Sequence, residues 1–140
     1  MKEDYIRFLK NVDKDFPIPL SKKIKIDEYA EKLISTANVI VEKDNGKIIG
    51  MVAGYIDNSI EEISYISIVA VQKEYRGKSI AKKLLQKYID ECKEKNLKGV
   101  HLYTHKTNTT ALTMYKNFGF ISKENVKEKR TEDVHLFLYF

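Results

Sequence analysis

Residues 74–85 read EYRGKSIAKKLL and closely follow an apolar segment, ISYISIVAV (Ile63–Val71). The apolar segment is rich in β-branched residues and has the length of a strand, whereas apolar residues recur at helical spacing after Ser79. Gly77 therefore lies at a junction between a strand and a helix, with cations on both sides of it. The first N–H groups of a helix have no partners within it, so this junction is a candidate phosphate site.

The residue types at this junction suit a diphosphate. Gly77 has no Cβ and permits close approach to the backbone, while Arg76, Lys78 and Lys82 add positive charge around it. The stretch is not a Walker loop, because the spacing G-x-x-x-x-G-K-[ST] is absent. Taken alone, R-G-K-S favours the alternative, a surface helix that has a basic first turn.

Periodicity and turn residues predict the remaining elements. We expect helices over 4–12, 27–36, 79–95 and 108–118, a hairpin over 38–56 around Asn45-Gly46, and strands over 63–71, 99–104, 120–126 and 134–140. Asp27 is expected to cap the second helix, and Asp57-Asn58-Ser59 to form the turn before the third strand. The last segment, VHLFLYF, is apolar nearly throughout and predicts a strand buried on both faces.

This order of elements defines the predicted fold class. Antiparallel hairpins surround one strand–helix–strand crossover, which indicates a single α+β domain over residues 1–140. We expect three layers, with a mixed, mostly antiparallel sheet and helices on both faces.

Composition narrows the classes of partner. The 140 residues carry a net charge of +5, which suits an anionic partner such as nucleic acid, acidic lipid or a small polyphosphate. Most tyrosines fall on strands or apolar helix faces rather than among exposed cations, so nucleic acid is not favoured. No run of about 18 apolar residues exists, so no membrane partner is expected.

The cysteine and histidine positions predict neither a disulfide nor a metal site. Cys92 is the only cysteine and falls on the apolar face of a predicted helix, which indicates core packing and a cytoplasmic protein. His101 and His135 lie within predicted strands without metal-ligand spacing, so no metal is proposed.

A second motif extends the pattern. Residues 108–120 read NTTALTMYKNFGF, and together with RGKSIA at 76–81 they resemble the GNAT superfamily of acetyl-CoA-dependent N-acetyltransferases. RGKSIA matches that family's Q/R-x-x-G-x-G/A. The later segment matches N-x-x-A-x-x-x-Y-x-x-x-G-F at Asn108, Ala111, Tyr115, Gly119 and Phe120. The resemblance covers roughly 39–120, and the family's usual first strand is missing.

The resemblance implies acetyl-CoA as cosubstrate and a set of binding residues. They are Val69, Val71, Arg76, Gly77, Lys78, Ser79, Ile80, Ala81 and Asn108. In the family the strand before the phosphate loop separates from its neighbour. Its free backbone groups, here at Val69 and Val71, pair with pantetheine and can hold the oxyanion. Ser79 stands where the family usually has glycine; serine keeps the N–H group and is able to cap the helix.

Asn108 and Tyr115 carry more than one interpretation. Asn108 is expected to cap its helix and to contact the cofactor, although capping alone would explain it equally well. The resemblance implies that Tyr115 contacts the thiolate as it leaves; the alternative is that Tyr115 only packs in the core. Proton transfer from a phenol with a pKa near 10 to a thiolate whose thiol has a pKa near 8.5 is unfavourable. Tyr115 should therefore act mainly by hydrogen bonding to the thiolate.

The proton acceptor for the attacking amine is not singled out. Candidates are Tyr65, Tyr103, His105, Glu62 and water. Tyr103 occupies the position where relatives that acetylate peptide N-termini carry glutamate.

The acceptor is either a small-molecule or a peptide amine. Residues 16–33 and 54–59 would border the acceptor cleft, and their polar, basic character favours a small or acidic acceptor. The exposed edges of such sheets make a homodimer possible. An acyl-CoA-binding sensor without turnover is the alternative function, prompted by Ser79 and by the absence of an obvious carboxylate base.

Overall fold

A central sheet and helices on both of its faces make up the computed structural model, which describes residues 1–123 and 132–140. The helices are α1 (Lys2–Val12), α2 (Ile26–Thr36), α3 (Ile80–Glu94) and α4 (Thr109–Phe118). The strands are β1 (Asn38–Asp44), β2 (Lys47–Ile60), β3 (Ile63–Val71), β4 (Gly99–His105), β5 (Ile121–Ser122) and β6 (Asp133–Tyr139). Short 3₁₀ turns lie at Asp13–Asp15, Leu20–Lys22 and Lys73–Tyr75. The predicted order of elements is confirmed.

The sheet is mixed, as predicted. Its order is β1-β2-β3-β4-β6-β5, and the neighbours are antiparallel except for β3 and β4. These two strands are parallel and are linked by α3, which forms the crossover. Their register contains three residue pairs, from Ile63 with Gly99 to Tyr65 with His101. In the described residues β3 and β4 separate beyond these pairs.

Two apolar cores hold the layers together. The core beneath α3 and α4 includes Val52, Ile66, Leu85, Tyr88, Leu102 and Leu136. The core beneath α1 and α2 includes Phe8, Leu9, Leu33, Met51 and Ile68. Each fully buried large apolar side chain stabilises the fold by about 1.5–3 kcal/mol, so both helix layers are firmly attached to the sheet.

A β-bulge at Ser67 changes which side chains of β3 face each layer. The register passes from Ala53 opposite Ile68 to Gly54 opposite Ile66, so Ser67 is the extra residue. The Ser67 hydroxyl is 2.5 Å from the Tyr29 hydroxyl of α2. After the bulge Ile68 packs beneath α1 and α2, while Val69 packs beneath α3 and α4.

The turn predicted at Asp57-Asn58-Ser59 is wrong. Strand β2 continues to Ile60, which pairs with Ile63, and the turn consists of Glu61 and Glu62 with φ of +56° and +61°. Two successive positive φ values are those of a type I′ turn. Glutamate does not signal such a turn, whereas Asp-Asn-Ser does, so local turn chemistry pointed to the wrong site.

The prediction that the last strand is buried on both faces is also wrong. Leu136 is its one fully buried residue among 133–139, whereas His135 and Phe137 are only half-buried. These two side chains lie on the face of the sheet where α1 and α2 cover residues of β1, β2 and β3. Strand β5 is only two residues long, and residues 124–126 of its predicted range lie outside the described residues.

Candidate active site

A cavity of about 720 Å³ lies at the carboxyl end of β3, where that strand no longer pairs with β4. Most of the predicted cofactor-binding residues line it. They are Val69, Val71, Arg76, Gly77, Ser79, Ile80, Ala81 and Asn108. Tyr115 lines it as well, and Val12, Asp15 and Phe16 contribute from the α1 side. Lys78 is the predicted residue that does not line it, and its ammonium lies 5.5 Å from the centre of the Tyr75 ring.

The backbone ahead of α3 is curved by two left-handed residues, Gly77 with φ of +81° and Ser79 with φ of +62°. The first bond of the helix runs from the Lys83 N–H to the Ser79 carbonyl at 3.1 Å. The N–H groups of Ile80, Ala81 and Lys82 therefore have no acceptor within the helix. A Cβ at Gly77 would meet nothing within 4 Å, so an anion has room to approach these amides.

Ser79 does not cap α3 with its side chain, contrary to expectation. An N-cap residue normally has extended backbone, which aims its side chain at the second or third N–H of the helix. The left-handed backbone of Ser79 does not provide this direction. A left-handed conformation costs an L-residue roughly 1–2 kcal/mol, so Ser79 occupies a position better suited to glycine.

Arg76 is held on two sides. Its Nε donates to the Val71 carbonyl at 3.1 Å, and its Nη2 is 2.9 Å from Oδ2 of Asp15. Asp15 belongs to the turn after α1 and lines the same cavity. Sequence reasoning missed Asp15, because it lies 61 residues from its partner and no local pattern links the two.

Asn108 caps α4 as predicted. Its Oδ1 accepts from the Ala111 N–H at 3.2 Å, and Gly119, with φ of +111°, ends the helix. Both features match the sequence pattern of the second motif. The predicted contact between Asn108 and a cofactor stays a prediction.

Tyr115 is buried, with 6% of its surface exposed, and its ring makes an edge contact with Phe120 at 5.4 Å between centroids. Burial raises the pKa of the Tyr115 phenol above its usual value near 10. The hydroxyl has no hydrogen-bond partner within residues 1–123 and 132–140. Tyr115 thus brings a neutral, unpaired O–H donor to the wall of the cavity.

Two candidate proton acceptors stand on the sheet face opposite α3 and α4. The Tyr65 and Tyr103 rings lie 6.3 Å apart, and Tyr103 stacks on His135 at 4.0 Å. Nε2 of His135 is 2.9 Å from Nδ1 of His101. Sequence reasoning missed this histidine pair because its members are 34 residues apart and meet only through the pairing of β4 with β6.

The other two candidates lie at strand ends. His105 ends β4, and its Nδ1 is 2.7 Å from the Thr107 hydroxyl. Glu62 lies in the turn before β3, 2.9 Å from the Lys98 ammonium. That turn is at the opposite end of β3 from the cavity, so Glu62 is too distant to act directly there.

The fold is shared with solved acetyltransferases. One is the NatC complex bound to Gag peptide and CoA, which superposes with a TM-score of 0.74 and is 26% identical, over 99% of this chain and 92% of that one. The chain belongs to the Acetyltransferase (GNAT) family, whose sequence model matches residues 6–120. The resemblance identified from the two motifs is confirmed.

Named relatives match part of the chain. N-alpha-acetyltransferase 30 of Saccharomyces cerevisiae is 40% identical over 57 residues, which are 41% of this chain and 32% of that protein. The putative [ribosomal protein bS18]-alanine N-acetyltransferase of Bacillus subtilis is 33% identical over 82 residues, or 58% and 51% of the two chains. The chain therefore spans about a third and about half of the length of these relatives.

Two further findings concern metal ions and membranes. Within the described ranges, no group of three or more His, Cys, Asp or Glu side chains is placed to hold a metal ion. In the same part of the chain, every helix is too short or too polar to cross a bilayer.

Proposed function

We propose that the chain transfers the acetyl group of acetyl-CoA to a primary amine by direct attack of the amine on the thioester. One observation carries this proposal. A single cavity joins the unpaired amides at the start of α3, the edge of β3 beyond its separation from β4, and the Tyr115 hydroxyl. A phosphate group, an amide-containing arm and a thioester would meet these three features in that order.

Binding follows from the backbone. The diphosphate of coenzyme A accepts hydrogen bonds from the N–H groups of residues 79–82, where the helix dipole adds partial positive charge. The pantetheine amides pair with backbone groups of β3 near Val69 and Val71 on the edge that faces β4. The same edge directs an N–H group at the thioester carbonyl, which stabilises the oxyanion when the amine adds.

The reaction forms a C–N bond and breaks a C–S bond. The amine nitrogen attacks the carbonyl carbon, and the carbonyl oxygen becomes an oxyanion. When the C=O double bond forms again, the C–S bond breaks and its electron pair leaves with sulfur as the thiolate. The Tyr115 hydroxyl donates a hydrogen bond to the departing thiolate. The raised pKa of the phenol keeps Tyr115 neutral, so it stabilises the thiolate without surrendering its proton. The proton lost by the amine passes to His105 or to water, either directly or by relay through the hydroxyl of Tyr65 or Tyr103.

A peptide α-amine is the acceptor class that we propose. It is supported by the names of the yeast and Bacillus relatives, which describe N-alpha and alanine N-acetyltransferases. Chemistry favours the same choice. An α-amine has a pKa of about 8, whereas a lysine amine has one of about 10.4, a difference of roughly 3.3 kcal/mol in the cost of deprotonation. An α-amine therefore needs no strong base.

An acceptor panel tests the proposal. Release of free CoA thiol is measured with acetyl-CoA and three sets of amines. The first set contains peptides with a free N-terminus, and the second contains N-formylated versions of these peptides, in which the only amine is that of an internal lysine. The third set contains amino sugars and polyamines. We expect turnover with the free N-termini alone. Turnover with only one of the other two sets would contradict the proposed acceptor class and identify that set as the acceptor class instead. Thermal stabilisation by CoA without turnover for any amine would favour the sensor instead. Absence of binding to CoA and acetyl-CoA at millimolar concentration would exclude both functions.

A further inference from the structure

The cation best placed to receive the diphosphate already has a carboxylate partner. Arg76 begins the R-G-K-S junction, and its Nη2 forms an ion pair with Oδ2 of Asp15 at 2.9 Å. The side chains of Arg76 and Asp15 are 48% and 27% exposed, so the pair is partly shielded from water. Both residues line the cavity. An anion entering at the start of α3 thus meets a negative charge as well as a positive one.

The ion pair fixes Arg76 in a definite orientation. Its Nε is engaged by the Val71 carbonyl at the end of β3, so one side of the guanidinium is held by backbone and the other by Asp15. A guanidinium makes its strongest bonds when two parallel N–H groups meet one anion. A diphosphate oxygen can take the place of the Asp15 carboxylate without any change at the Val71 carbonyl.

We propose that Asp15 is an internal counter-ion that competes with the cofactor diphosphate for Arg76, so that binding of acetyl-CoA releases Asp15. The inference rests on the proposed function, because it assumes that the diphosphate binds at the start of α3. In the free protein Asp15 neutralises Arg76. In the complex the phosphate does so, and Asp15 lowers the affinity of the site for its ligand.

The test measures CoA affinity by calorimetry on the full chain. Asp15→Asn keeps the size of the side chain and an oxygen that accepts from Arg76, but removes the charge. We expect it to bind CoA about three- to tenfold more tightly than the parent chain. Asp15→Glu retains the charge and should stay within about twofold. Glu74→Gln makes the same change of net charge at an exposed residue that does not line the cavity, and it should also stay within about twofold.

One further measurement separates competition for Arg76 from a general effect of the Asp15 charge on the site. The gain in Asp15→Asn should shrink in an Arg76→Gln background, because no guanidinium remains there for Asp15 and the phosphate to compete for. An equal gain in that background would show that Asp15 acts by its charge alone and would overturn the proposed competition.

The outcomes distinguish this inference from the proposed function. If the parent chain binds CoA and Asp15→Asn binds it equally or more weakly, Asp15 orients Arg76 rather than competing for it, and the inference is overturned while the function stands. If the parent chain binds no CoA, the proposed function fails, and the inference fails with it. Tighter binding by Asp15→Asn that is lost in the Arg76→Gln background supports both.

Discussion

Substitution of Tyr115 by phenylalanine removes one oxygen atom, and the structure predicts a loss of catalysis without a loss of stability. The hydroxyl has no hydrogen-bond partner in the described part of the chain, and no side-chain oxygen in that part is both buried and unpaired, so the hydroxyl is open to water in the cavity. Its removal should therefore leave the free energy of unfolding unchanged to within about 0.5 kcal/mol. A hydrogen bond to a charged thiolate is worth about 1.5–3 kcal/mol. The kcat should therefore fall about 10- to 150-fold.

Tyr88→Phe is the matched control, because it makes the same chemical change at a tyrosine with the opposite environment. Tyr88 is fully buried, and its hydroxyl is 2.6 Å from that of Ser64, which also donates to the Tyr55 carbonyl. Tyr88 does not line the cavity. Loss of this bond should lower the free energy of unfolding by about 1–1.5 kcal/mol. The kcat of Tyr88→Phe should equal that of the parent chain.

The assay combines steady-state kinetics, calorimetry and urea denaturation on the two variants and the parent. We expect Tyr115→Phe to lose kcat while its CoA affinity and stability hold, and Tyr88→Phe to lose only stability. Parental kcat in Tyr115→Phe would remove the hydroxyl from the mechanism. A loss of more than about 1 kcal/mol of stability in that variant would mean that Tyr115 is a packing residue with a partner in the fold.

Three further predictions concern residues around the site and the core. Ser79→Gly should raise the free energy of unfolding by about 0.5–1 kcal/mol, because relief of the left-handed conformation exceeds the added entropy of the unfolded chain; thermal denaturation tests this, and a lower midpoint would contradict it. Gly54→Ala should destabilise by about 1–3 kcal/mol in urea, because its Cβ would overlap the Tyr88 hydroxyl and the Tyr65 carbonyl; an unchanged midpoint would refute the packing. Burial raises the pKa of the Cys92 thiol from 9.0 to about 11. The folded chain thus holds this proton more tightly than the unfolded chain, so stability should fall by up to about 1.4 kcal/mol per unit as the pH rises from 9 to 11. Urea titrations should show a shallower decline over that range in Cys92→Ala, and parallel curves would rule the thiol out.

Features that are set by a few neighbouring residues could be predicted from the sequence. Asn108 and Gly119 mark the two ends of α4 by their own chemistry, a side-chain cap and a left-handed residue. Asn45 and Gly46 adopt φ of +51° and +78°, the turn that such a pair favours. The strand before Gly77 and the helix after it follow from composition and periodicity. Together these local signals place the cavity and the fold class.

Features set by contacts between distant segments could not be predicted. The ion pair of Asp15 with Arg76 and the hydrogen bond of His101 with His135 exist only because strands and helices far apart in sequence are brought together. The bulge at Ser67 depends on the register of β2 against β3, which an apolar run does not specify. The exposure of β6 depends on how far α1 and α2 extend over the sheet.

The three residue pairs between β3 and β4 divide the sheet into two ribbons joined by a short seam. One ribbon is β1-β2-β3 and the other is β4-β6-β5. Helix α3 contacts both ribbons, because it packs on β1, β2, β3 and β4. Backbone groups along the open part of the seam have no strand to pair with in the described residues. We expect an extended ligand that pairs with these backbone groups to connect the two ribbons, so that the sheet is more rigid with the ligand bound than without it.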